Sequence, residues 1–395
     1  MNELVHPRER SLGTITLVLG LLVWLALIVG TFGVALIVLL VGFIGYLFAQ
    51  SSLISYIKGN GVALTPAQFP DLHAQFTECC KRLEMKDTPE AYVLNGAGGL
   101  NAFATQFLGR QYVVLLSDVV DAMAPHPDGV RFYVGHELGH LRMKHIKGQF
   151  LRWPVLWLPL LGAAYSRARE STCDRHGAAC SSQPELAARA LSALAAGSSR
   201  WRDLDVQAFS DQAAQSRGFW MSFHELLSGY PWLTKRVVRV VQGEQAVPSR
   251  HPMAYLLAAL FPYAGRLGAG FGALILIYVI GVAAAVAIPA YQDHTTKARL
   301  TQALAVTQPV REELARRYLA SQEVPASLAQ AGLPETLPGG EGLSLDNKTM
   351  VLSVETERGT LVFTPEVTDQ GEIRWACAPG SEMRTGQVPA DCVAP

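Results

Sequence analysis

The chain has 395 residues, half of them hydrophobic and only 17 % charged. That is an apolar balance for a soluble enzyme, and the length leaves room for two or three domains. The formal net charge is zero and no long run of like charge occurs, which argues against a nucleic-acid partner. The six cysteines include no CxxC pair, which argues against a zinc site built from cysteines.

The first predicted element is an apolar block over residues 11 to 50, which contains no Asp, Glu, Lys or Arg. One membrane-spanning helix needs about 20 residues, so the block predicts two helices with a turn at residues 30 to 33. A cleaved signal peptide is the alternative interpretation. The block is about twice too long for one.

The charges that flank the apolar segments predict their direction in the membrane. Arg8 and Arg10 precede the first helix and Lys58 follows the second, whereas the turn between them has no positive charge. Because positive residues favour the cytoplasm, both ends of this hairpin and the domain after it should be cytoplasmic. A third candidate span at about 269 to 291 would carry the C-terminal region across the membrane.

A helix is predicted over residues 127 to 146, where apolar residues recur at helical spacing. His136 and His140 lie four residues apart, so their side chains share one face, one turn apart. This spacing allows two imidazoles to bind one zinc ion. Glu137 stands beside that face, where its carboxylate can accept a proton from the attacking water and pass it to the leaving amine.

A second helical segment, 166 to 174, carries Glu170 and Asp174 four residues apart. Glu170 can complete a zinc site of two histidines and one glutamate with a fourth position open. Asp174 falls on the same face and can accept the remaining N–H of a ligand histidine. The alternative is a solvated helix whose acids pair with nearby arginines. The upstream histidine pair favours the ligand interpretation.

Residues 11 to 240 resemble the HtpX-type membrane zinc metallopeptidases, relatives of the CAAX prenyl endopeptidases. The resemblance is carried by the sequence GHELGH at 135–140, by His145, and by the Glu170/Asp174 pair. It implies a gluzincin fold with one Zn2+ per chain, held by His136, His140 and Glu170, with Glu137 as the general base.

In the family that the chain resembles, an exposed strand edge before the active-site helix pairs with the substrate backbone. Here residues 101 to 105 lead into the apolar segment 112 to 116. The resemblance therefore implies that an extended peptide lies along the edge of 112 to 116. The expected contact residues are Asn101, Ala102, Tyr112, Val113 and Val114.

The chain departs from the family in two places. Where the family often has a His-Pro pair followed by an arginine, this sequence has Tyr230-Pro231 and then Arg236. Tyr230 either donates a hydrogen bond to the oxyanion, as a histidine would, or is a packing residue. The family also has longer membrane segments between the two zinc-binding helices, where this chain has only residues 150–165. Three interpretations of 153–165 are open: a core helix, a lid, or a segment that dips into the bilayer. His145 is interpreted as a structural residue at the end of the active-site helix.

From about residue 268 the chain resembles type IV pilins. Residues 278 to 293 are similar to the pilin amino-terminal helix, and short strands are predicted further on, at 351–354, 361–364 and 373–376. Pilins often close a C-terminal loop with a disulfide, so the resemblance implies a Cys377–Cys392 bond, which needs an oxidising compartment. An apolar anchor with an unrelated small domain is the alternative.

The predicted fold is therefore that of an α+β integral membrane protein: a mainly helical zincin-type peptidase domain, a transmembrane helix and a pilin-like α+β domain. The predicted segments are a tail and transmembrane hairpin at 1–50, the peptidase domain at 51–250, an apolar lead-in and transmembrane helix at 253–290, and the pilin-like domain at 291–395. The predicted location is the bacterial inner membrane, with the catalytic domain cytoplasmic and the C-terminal domain periplasmic.

The predicted function is that of a zinc-dependent metalloendopeptidase with protein or peptide substrates, and the resemblance suggests membrane-protein quality control. Further expected partners are the lipid bilayer and pilin-like or other membrane proteins. The alternative is a non-catalytic pilin-like assembly or scaffolding component of a pilus or secretion apparatus. The intact Glu137 argues against a dead enzyme, and Leu267, where pilins have the glycine before their processing site, argues against a structural pilin.

Overall fold

Two long apolar helices begin the chain in the computed structural model, which describes residues 2–126, 128–265, 268–356, 359–380, 383, 388, 389 and 392. Helix α1 covers Pro7–Gly30 and α2 covers Val34–Asn60. Both are long and apolar enough to cross a membrane, as is a third helix over Gly272–Ser321. Residue 127, where the active-site helix was predicted to begin, and residue 267, which was compared with the pilin processing-site glycine, lie outside the described residues.

A four-stranded sheet follows, in the order β1-β2-β4-β3. Strands β2 and β4 are parallel, whereas β3 and β4 form an antiparallel hairpin. Leu108 and Gly109 at the hairpin tip both have positive φ, as the favoured two-residue hairpin turn requires. The strands are β1 Val62–Ala63, β2 Glu90–Leu94, β3 Ala102–Phe107 and β4 Arg110–Leu116, with helix α3 Pro70–Arg82 between β1 and β2.

Strand β4 is an interior strand, so the prediction that a substrate pairs along 112 to 116 is wrong. It is paired with β2 on one side and with β3 on the other. Tyr112, Val113 and Val114 are buried, the two valines completely. One edge strand of the sheet is β1, and the other, next to β4, is β3, which begins at Ala102 directly after Asn101. Only those two of the five predicted contact residues lie at an edge.

Helices dominate the region after the sheet. Their largest hydrophobic core lies against the sheet and includes Leu115, Leu138 and Leu191, all completely buried. The helices are α4 Ser117–Met123, α5 Asp128–Arg142, α6 Gln149–Leu156, α7 Leu161–Cys180, α8 Pro184–Arg200, α9 Val206–Asp211, α10 Phe219–Leu227, α11 Leu233–Gln242 and α12 Pro252–Ala258.

Helix α5 ends at Arg142, four residues earlier than predicted, and its end has a specific geometry. Lys144 adopts a left-handed conformation with φ 56°. The amides of Lys144 and His145 donate to the carbonyls of Leu141 and His140, at 3.1 and 3.0 Å. These two bonds are the hydrogen-bond pattern of a Schellman motif, which reverses the chain. His145 therefore lies beyond the helix end and is turned back toward His140.

Helix α6 packs on the first apolar helix, α1. The ring of Trp24 stacks on Phe150, with centroids 5.3 Å apart, and its Nε1 donates to the Phe150 carbonyl. Trp153 and Trp157 are 64 % and 54 % exposed. These exposed aromatic side chains exclude the interpretation of this part of 153–165 as a buried core helix.

Clustering of contacts divides the chain into Met1–Ile277 and Tyr278–Pro395. Helix α13, Gly268–Ser321, is followed by four strands paired antiparallel in sequence order. Within the second unit, Leu300 and Leu314 of α13 pack with Phe363 of the sheet. A disulfide joins Cys377 to Cys392. The strands are β5 Gly342–Leu345, β6 Leu352–Thr356, β7 Gly359–Val367 and β8 Ile373–Pro379; the sequence predicted the last three but not β5.

Candidate metal centre

Helices α5 and α7 bring His136, His140 and Glu170 together. The two imidazole centroids are 5.2 Å apart. The Nε2 atom of His136 lies 3.3 Å from Glu170 Oε2, and that of His140 lies 3.7 Å from Glu170 Oε1. All three side chains are largely buried. The three ligands that the sequence predicts thus converge on one point.

Two glycines on α5 allow this convergence. A Cβ on Gly135 would lie 2.7 Å from Cys180 Sγ and 2.8 Å from the His176 carbonyl oxygen. A Cβ on Gly139 would lie 3.2 Å from the Cα of Cys173. Both glycines therefore face α7 at a distance that a larger side chain would not permit. The close crossing places Glu170 within reach of both histidines.

The donor set fits a divalent metal such as zinc. With bonds of about 2.0–2.1 Å in a tetrahedral site, neighbouring ligand atoms lie roughly 3.3 Å apart. The separations of 3.3 and 3.7 Å agree with that value. Among the described residues, Glu170 Oε2 is buried and accepts no hydrogen bond of ordinary geometry. A cation between the three side chains would satisfy this oxygen.

Cys173 is a neighbour that the sequence analysis missed. Its Sγ lies within 4.8 Å of a ring nitrogen of His136 and of His140, and it is completely buried. Burial and the carboxylates of Glu170 and Glu137 raise the pKa of the Cys173 thiol well above its usual range. Burial opposes ionisation of Glu170 too, but the adjacent histidines lower its pKa to about 2. Glu170 is therefore the ionised donor and Cys173 a protonated neighbour.

Asp174 supports His136 from the side opposite the metal position. Its Oδ1 accepts a hydrogen bond from His136 Nδ1 at 3.0 Å. Arg236 donates to the same carboxylate through Nη2 at 2.6 Å and Nε at 2.8 Å. Burial acts to raise the pKa of Asp174, but the Arg236 guanidinium outweighs it and lowers that pKa. The ionised carboxylate holds the proton of His136 on Nδ1 and leaves Nε2 toward Glu170.

His140 has a different support, reached through a second histidine. Its Nδ1 lies 3.0 Å from His145 Nδ1, and His145 Nε2 lies 2.7 Å from Glu9 Oε1. His145 and Glu9 are 3 % and 6 % exposed. Glu9 belongs to α1, and no sequence pattern indicated that it reaches the site. The structure therefore corrects the interpretation of His145 as a residue that only ends the helix.

The two histidines differ in their affinity for a proton. Burial disfavours protonation of His136, but Asp174 and Glu170 outweigh it and raise the pKa to about 10. Burial lowers the pKa of His140 well below its usual value, against the opposing effect of Glu170. In the metal-free protein the proton of this pair therefore resides on His136.

A cleft of about 570 Å3 opens beside the histidines. Residues 101 to 104, at the start of the β3 edge, line one part of it, and Glu137 and Tyr230 line another. Glu137 is 8 % exposed, and the Tyr230 amide donates to Ser228 Oγ at 3.1 Å. Of the five predicted substrate-contact residues, Tyr112, Val113 and Val114 do not line the cleft.

Residues 66–161 match the profile of Peptidase family M48. This part includes the sheet strands β2 to β4 and all of α5 and α6, whereas Glu170 and Asp174 lie beyond it. Metallopeptidase activity is the general function that this similarity indicates. The third ligand position rests on the geometry of α7.

The chain is also similar to pilins. A fimbrial protein of Neisseria meningitidis serogroup A is 33 % identical over 92 residues, which cover 23 % of this chain and 49 % of that protein. A fimbrial protein of serogroup B is 25 % identical over 114 residues, covering 26 % of this chain and 67 % of the relative. The type IV major pilin protein PilE1 of Neisseria gonorrhoeae is 24 % identical over 145 residues, covering 30 % and 88 %.

The chain thus spans about half the length of the serogroup A fimbrial protein. Together with the family M48 match, these similarities confirm the resemblance to a metallopeptidase fused to a pilin-like domain.

Proposed function

We propose that this protein is a membrane-anchored, zinc-dependent metalloendopeptidase that hydrolyses peptide bonds of protein substrates. The observation that carries the proposal is that Nε2 of His136 and Nε2 of His140 lie 3.3 and 3.7 Å from the two carboxylate oxygens of Glu170, beside a cleft that Glu137 lines. The match to Peptidase family M48, which includes both histidines, supports it.

The zinc would be held by Nε2 of His136, Nε2 of His140 and the carboxylate of Glu170. When bound there, zinc supplies a Lewis acid that polarises the scissile carbonyl and lowers the pKa of water. With zinc bound, the chain's own contribution is two imidazoles whose remaining hydrogen is on Nδ1 and one ionised carboxylate; His136 has then lost the second proton that it carries in the metal-free protein. Asp174 holds the remaining hydrogen of His136 on Nδ1 by accepting a hydrogen bond from it.

Glu137 is the proposed general base. It follows His136 directly on α5, so its side chain leaves the helix beside the ligand face and enters the same cleft. As water attacks the carbonyl carbon, the carboxylate accepts the proton that water loses and then donates it to the amide nitrogen as the C–N bond breaks. The proton is returned within one cycle, so Glu137 ends as it began.

Tyr230 is the proposed donor to the oxyanion. It lines the same cleft as Glu137, which supports this role over packing alone. A phenolic O–H that points at the developing negative charge would stabilise the transition state more than the substrate. Arg236, which also lines the cleft, is engaged by Asp174 and acts on the ligand histidine through that carboxylate.

The proposed substrate-binding edge is strand β3. In the β3–β4 pairing the Leu116 amide donates to the Asn101 carbonyl, so residues 101 and 103 face β4. Because antiparallel pairing alternates, the N–H and C=O groups of Ala104 and the C=O group of Ala102 point outward, along the cleft, whereas the Ala102 amide donates to Asn101 Oδ1 at 3.0 Å. An extended peptide could add there as a further strand. The substrate should therefore be unstructured at the cleaved bond.

Helix α6 is proposed to lie at the depth of the bilayer. Its Leu151 carbonyl contacts Gly20 of α1, and its Phe150 stacks on Trp24. At 1.5 Å per residue these positions are about 15–21 Å beyond Arg10, within a hydrocarbon core of roughly 30 Å. The Arg152 side chain reaches back to the Gly13 carbonyl, as a charged residue does when its stem is in lipid. Membrane proteins are therefore the favoured substrates, consistent with a role in their quality control.

Arg8, Arg10 and Lys58 support a cytoplasmic catalytic domain, and one further crossing would place the pilin-like domain in the periplasm. The Cys377–Cys392 disulfide suits that oxidising compartment. Similarity to fimbrial proteins favours a second role for this domain, the recognition of pilin-like or other membrane proteins. Labelling of the two cysteines in intact cells after mild reduction tests the sidedness; labelling only after lysis would contradict it.

The enzymatic proposal is tested with the purified full-length protein in mild detergent. Zinc content is measured by elemental analysis and cleavage of casein by gel electrophoresis. We expect about one zinc per chain and a Glu137→Gln variant that keeps its zinc but loses cleavage at least about 100-fold. An equally active Glu137→Gln variant would refute the mechanism. The surface variant Glu84→Gln serves as the matched control.

A further inference from the structure

Glu9 is a buried carboxylate that the proposed mechanism does not use. It lies near the start of α1, two residues after Pro7, and is 6 % exposed. Its Oε1 receives a hydrogen bond from His145 Nε2 at 2.7 Å. A membrane helix thus supplies a charged group to the interior of the peptidase domain, at the side of His140 that faces away from Glu170.

The position of Glu9 is fixed by contacts of the residues around it. The His6 amide donates to Thr172 Oγ1 on α7 at 3.0 Å, and His6 Nε2 lies 3.3 Å from Glu244 Oε1. One turn beyond Glu9, a Cβ on Gly13 would contact the Tyr165 ring at 3.4 Å. The start of α1 is therefore docked on α7, which carries Glu170.

The position of His145 is fixed just as firmly. The Schellman motif at the end of α5 ties its amide to the His140 carbonyl at 3.0 Å. Its ring lies 5.1 Å from the His140 ring, centroid to centroid. Main chain and side chain thus both hold His145 against His140. The left-handed Lys144 that this requires is uncommon for a residue other than glycine or asparagine.

Hydrogen counting assigns the tautomers of the pair. A carboxylate only accepts hydrogen bonds, so His145 Nε2 must carry the hydrogen shared with Glu9. His145 Nδ1 in its neutral ring is then an acceptor, and the neighbouring His140 Nδ1 at 3.0 Å must be the donor. His140 Nε2 is left without hydrogen, and this is the atom that faces Glu170.

We propose that Glu9 and His145 are positioning residues of the metal site, which hold His140 in the Nδ1-protonated tautomer with Nε2 directed at the zinc. This inference rests on the proposed function. Each ligand histidine then has its tautomer set by a carboxylate. Asp174 acts directly on His136, whereas Glu9 acts on His140 through the imidazole of His145. The first membrane helix is thereby part of the active site as well as an anchor.

A competing contact is too weak to set the tautomer. Cys173 Sγ lies 3.7 Å from His145 Nδ1, and its S–H is a weak donor. The nitrogen–nitrogen contact at 3.0 Å is the shorter and stronger one.

A purely structural role, in which the contacts only attach α1 to the domain, would affect stability but not the affinity of a folded protein for zinc.

The test compares zinc affinity in full-length protein in detergent, by competition with a chelating dye, and the visible spectrum of the cobalt-substituted protein. We expect His145→Leu and Glu9→Leu to weaken zinc binding about 10- to 100-fold and to shift the cobalt bands. His145→Asn should lose less than His145→Leu, because its amide oxygen can replace Nδ1 as acceptor. Thr16→Val is the control, since Thr16 is buried on α1 and, in the part of the chain that the structure describes, its hydroxyl bonds only to the Leu12 and Gly13 carbonyls of its own helix.

Unchanged affinity and cobalt spectrum in both leucine variants would overturn the proposal, as would an equal loss in Thr16→Val. If a leucine variant does not fold, 15N spectra of histidine-labelled, zinc-loaded wild type decide: the proposal requires a hydrogen on Nδ1 of His140 and on Nε2 of His145, and the opposite tautomers refute it. Wild-type protein that binds no zinc would instead refute the proposed function, so the two failures are distinguishable.

Discussion

Arg236 forms a two-point ion pair with Asp174 in the protein interior, and the same carboxylate accepts the Nδ1 proton of His136. The three residues come from α11, α7 and α5, so one carboxylate joins three helices at the metal position. Breaking a buried pair of this kind leaves the other charge without compensation. Stability and metal affinity should therefore change together at this point.

An Asp174→Asn substitution keeps the shape but removes the charge. We expect a loss of about 3–5 kcal/mol in the free energy of unfolding, because the Arg236 guanidinium stays buried without a counter-charge. Zinc affinity should fall about 10- to 100-fold, since an amide orients His136 less strongly. Chemical denaturation and dye competition measure the two effects. An Asp174→Asn variant with unchanged unfolding free energy and unchanged zinc affinity would show that Asp174 is dispensable. The surface variant Glu84→Gln is the control.

Zinc binding should release protons. In the metal-free protein the pKa of His136 is raised to about 10, so at neutral pH the ring is protonated and zinc must displace that proton. We expect about one proton per zinc at pH 7, and affinity that rises about tenfold per pH unit as long as the pH stays below that pKa. Calorimetry in buffers of different ionisation enthalpy counts the protons. A heat of binding that is independent of the buffer would contradict the raised pKa.

The α5–α7 crossing should not tolerate a side chain at Gly135. A Cβ there would lie 2.7 Å from Cys180 Sγ, so Gly135→Ala should push α7 away and cost about 1–3 kcal/mol. Displacement of α7 would also move Glu170 and weaken zinc binding. Thermal unfolding and zinc content measure both. Gly59→Ala on α2 is the matched control, because nothing lies within 4 Å of its added Cβ; equal behaviour of the two variants would exclude the close-crossing argument.

The β3 edge predicts a specific effect of proline. The Ala104 amide points away from β4, so Ala104→Pro removes a hydrogen bond to the substrate and leaves the ladder to β4 intact. We expect kcat/KM for an unfolded protein substrate to fall about tenfold, because this factor corresponds to the net free energy of one hydrogen bond. Ala104→Val keeps the amide and controls for bulk. A proline variant that is as active as the valine variant would remove β3 as the binding edge.

The proposed depth of α6 can be measured by cysteine accessibility. In inverted membrane vesicles, a Trp157→Cys variant should react with a membrane-impermeant maleimide only after detergent is added, because lipid covers the side chain. Lys81→Cys, at an exposed position of α3, should react at once. The four native cysteines of the peptidase domain are buried and give little background. Equal rates for the two variants would place α6 outside the bilayer.

The convergence of the proposed metal ligands could be predicted because it follows from local spacing. His136 and His140 are one turn apart, and Glu170 and Asp174 are one turn apart, so each pair shares a helix face whatever the rest of the fold does. Strand pairing is not local. Nothing in residues 112 to 116 indicates that β2 and β3 flank them on both sides, and the wrong edge was therefore predicted.

The support of His140 could not be predicted for two further reasons. Glu9 is 136 residues from His145 in the sequence, and acids near the start of a membrane helix are read as flanking charges. The reversal that turns His145 back depends on a left-handed lysine, whereas glycine is the residue that usually signals such a helix end. The periodic spacing of α5 instead favoured a longer helix.

The contact between Glu9 and His145 has a practical consequence for the study of this protein. A soluble fragment that starts after α2 would retain His136, His140 and Glu170 in its sequence, yet it would lack the carboxylate that orients one of them. Its zinc affinity and its turnover would then describe a weakened site. Measurements of zinc binding and proteolysis should therefore use protein that keeps helix α1.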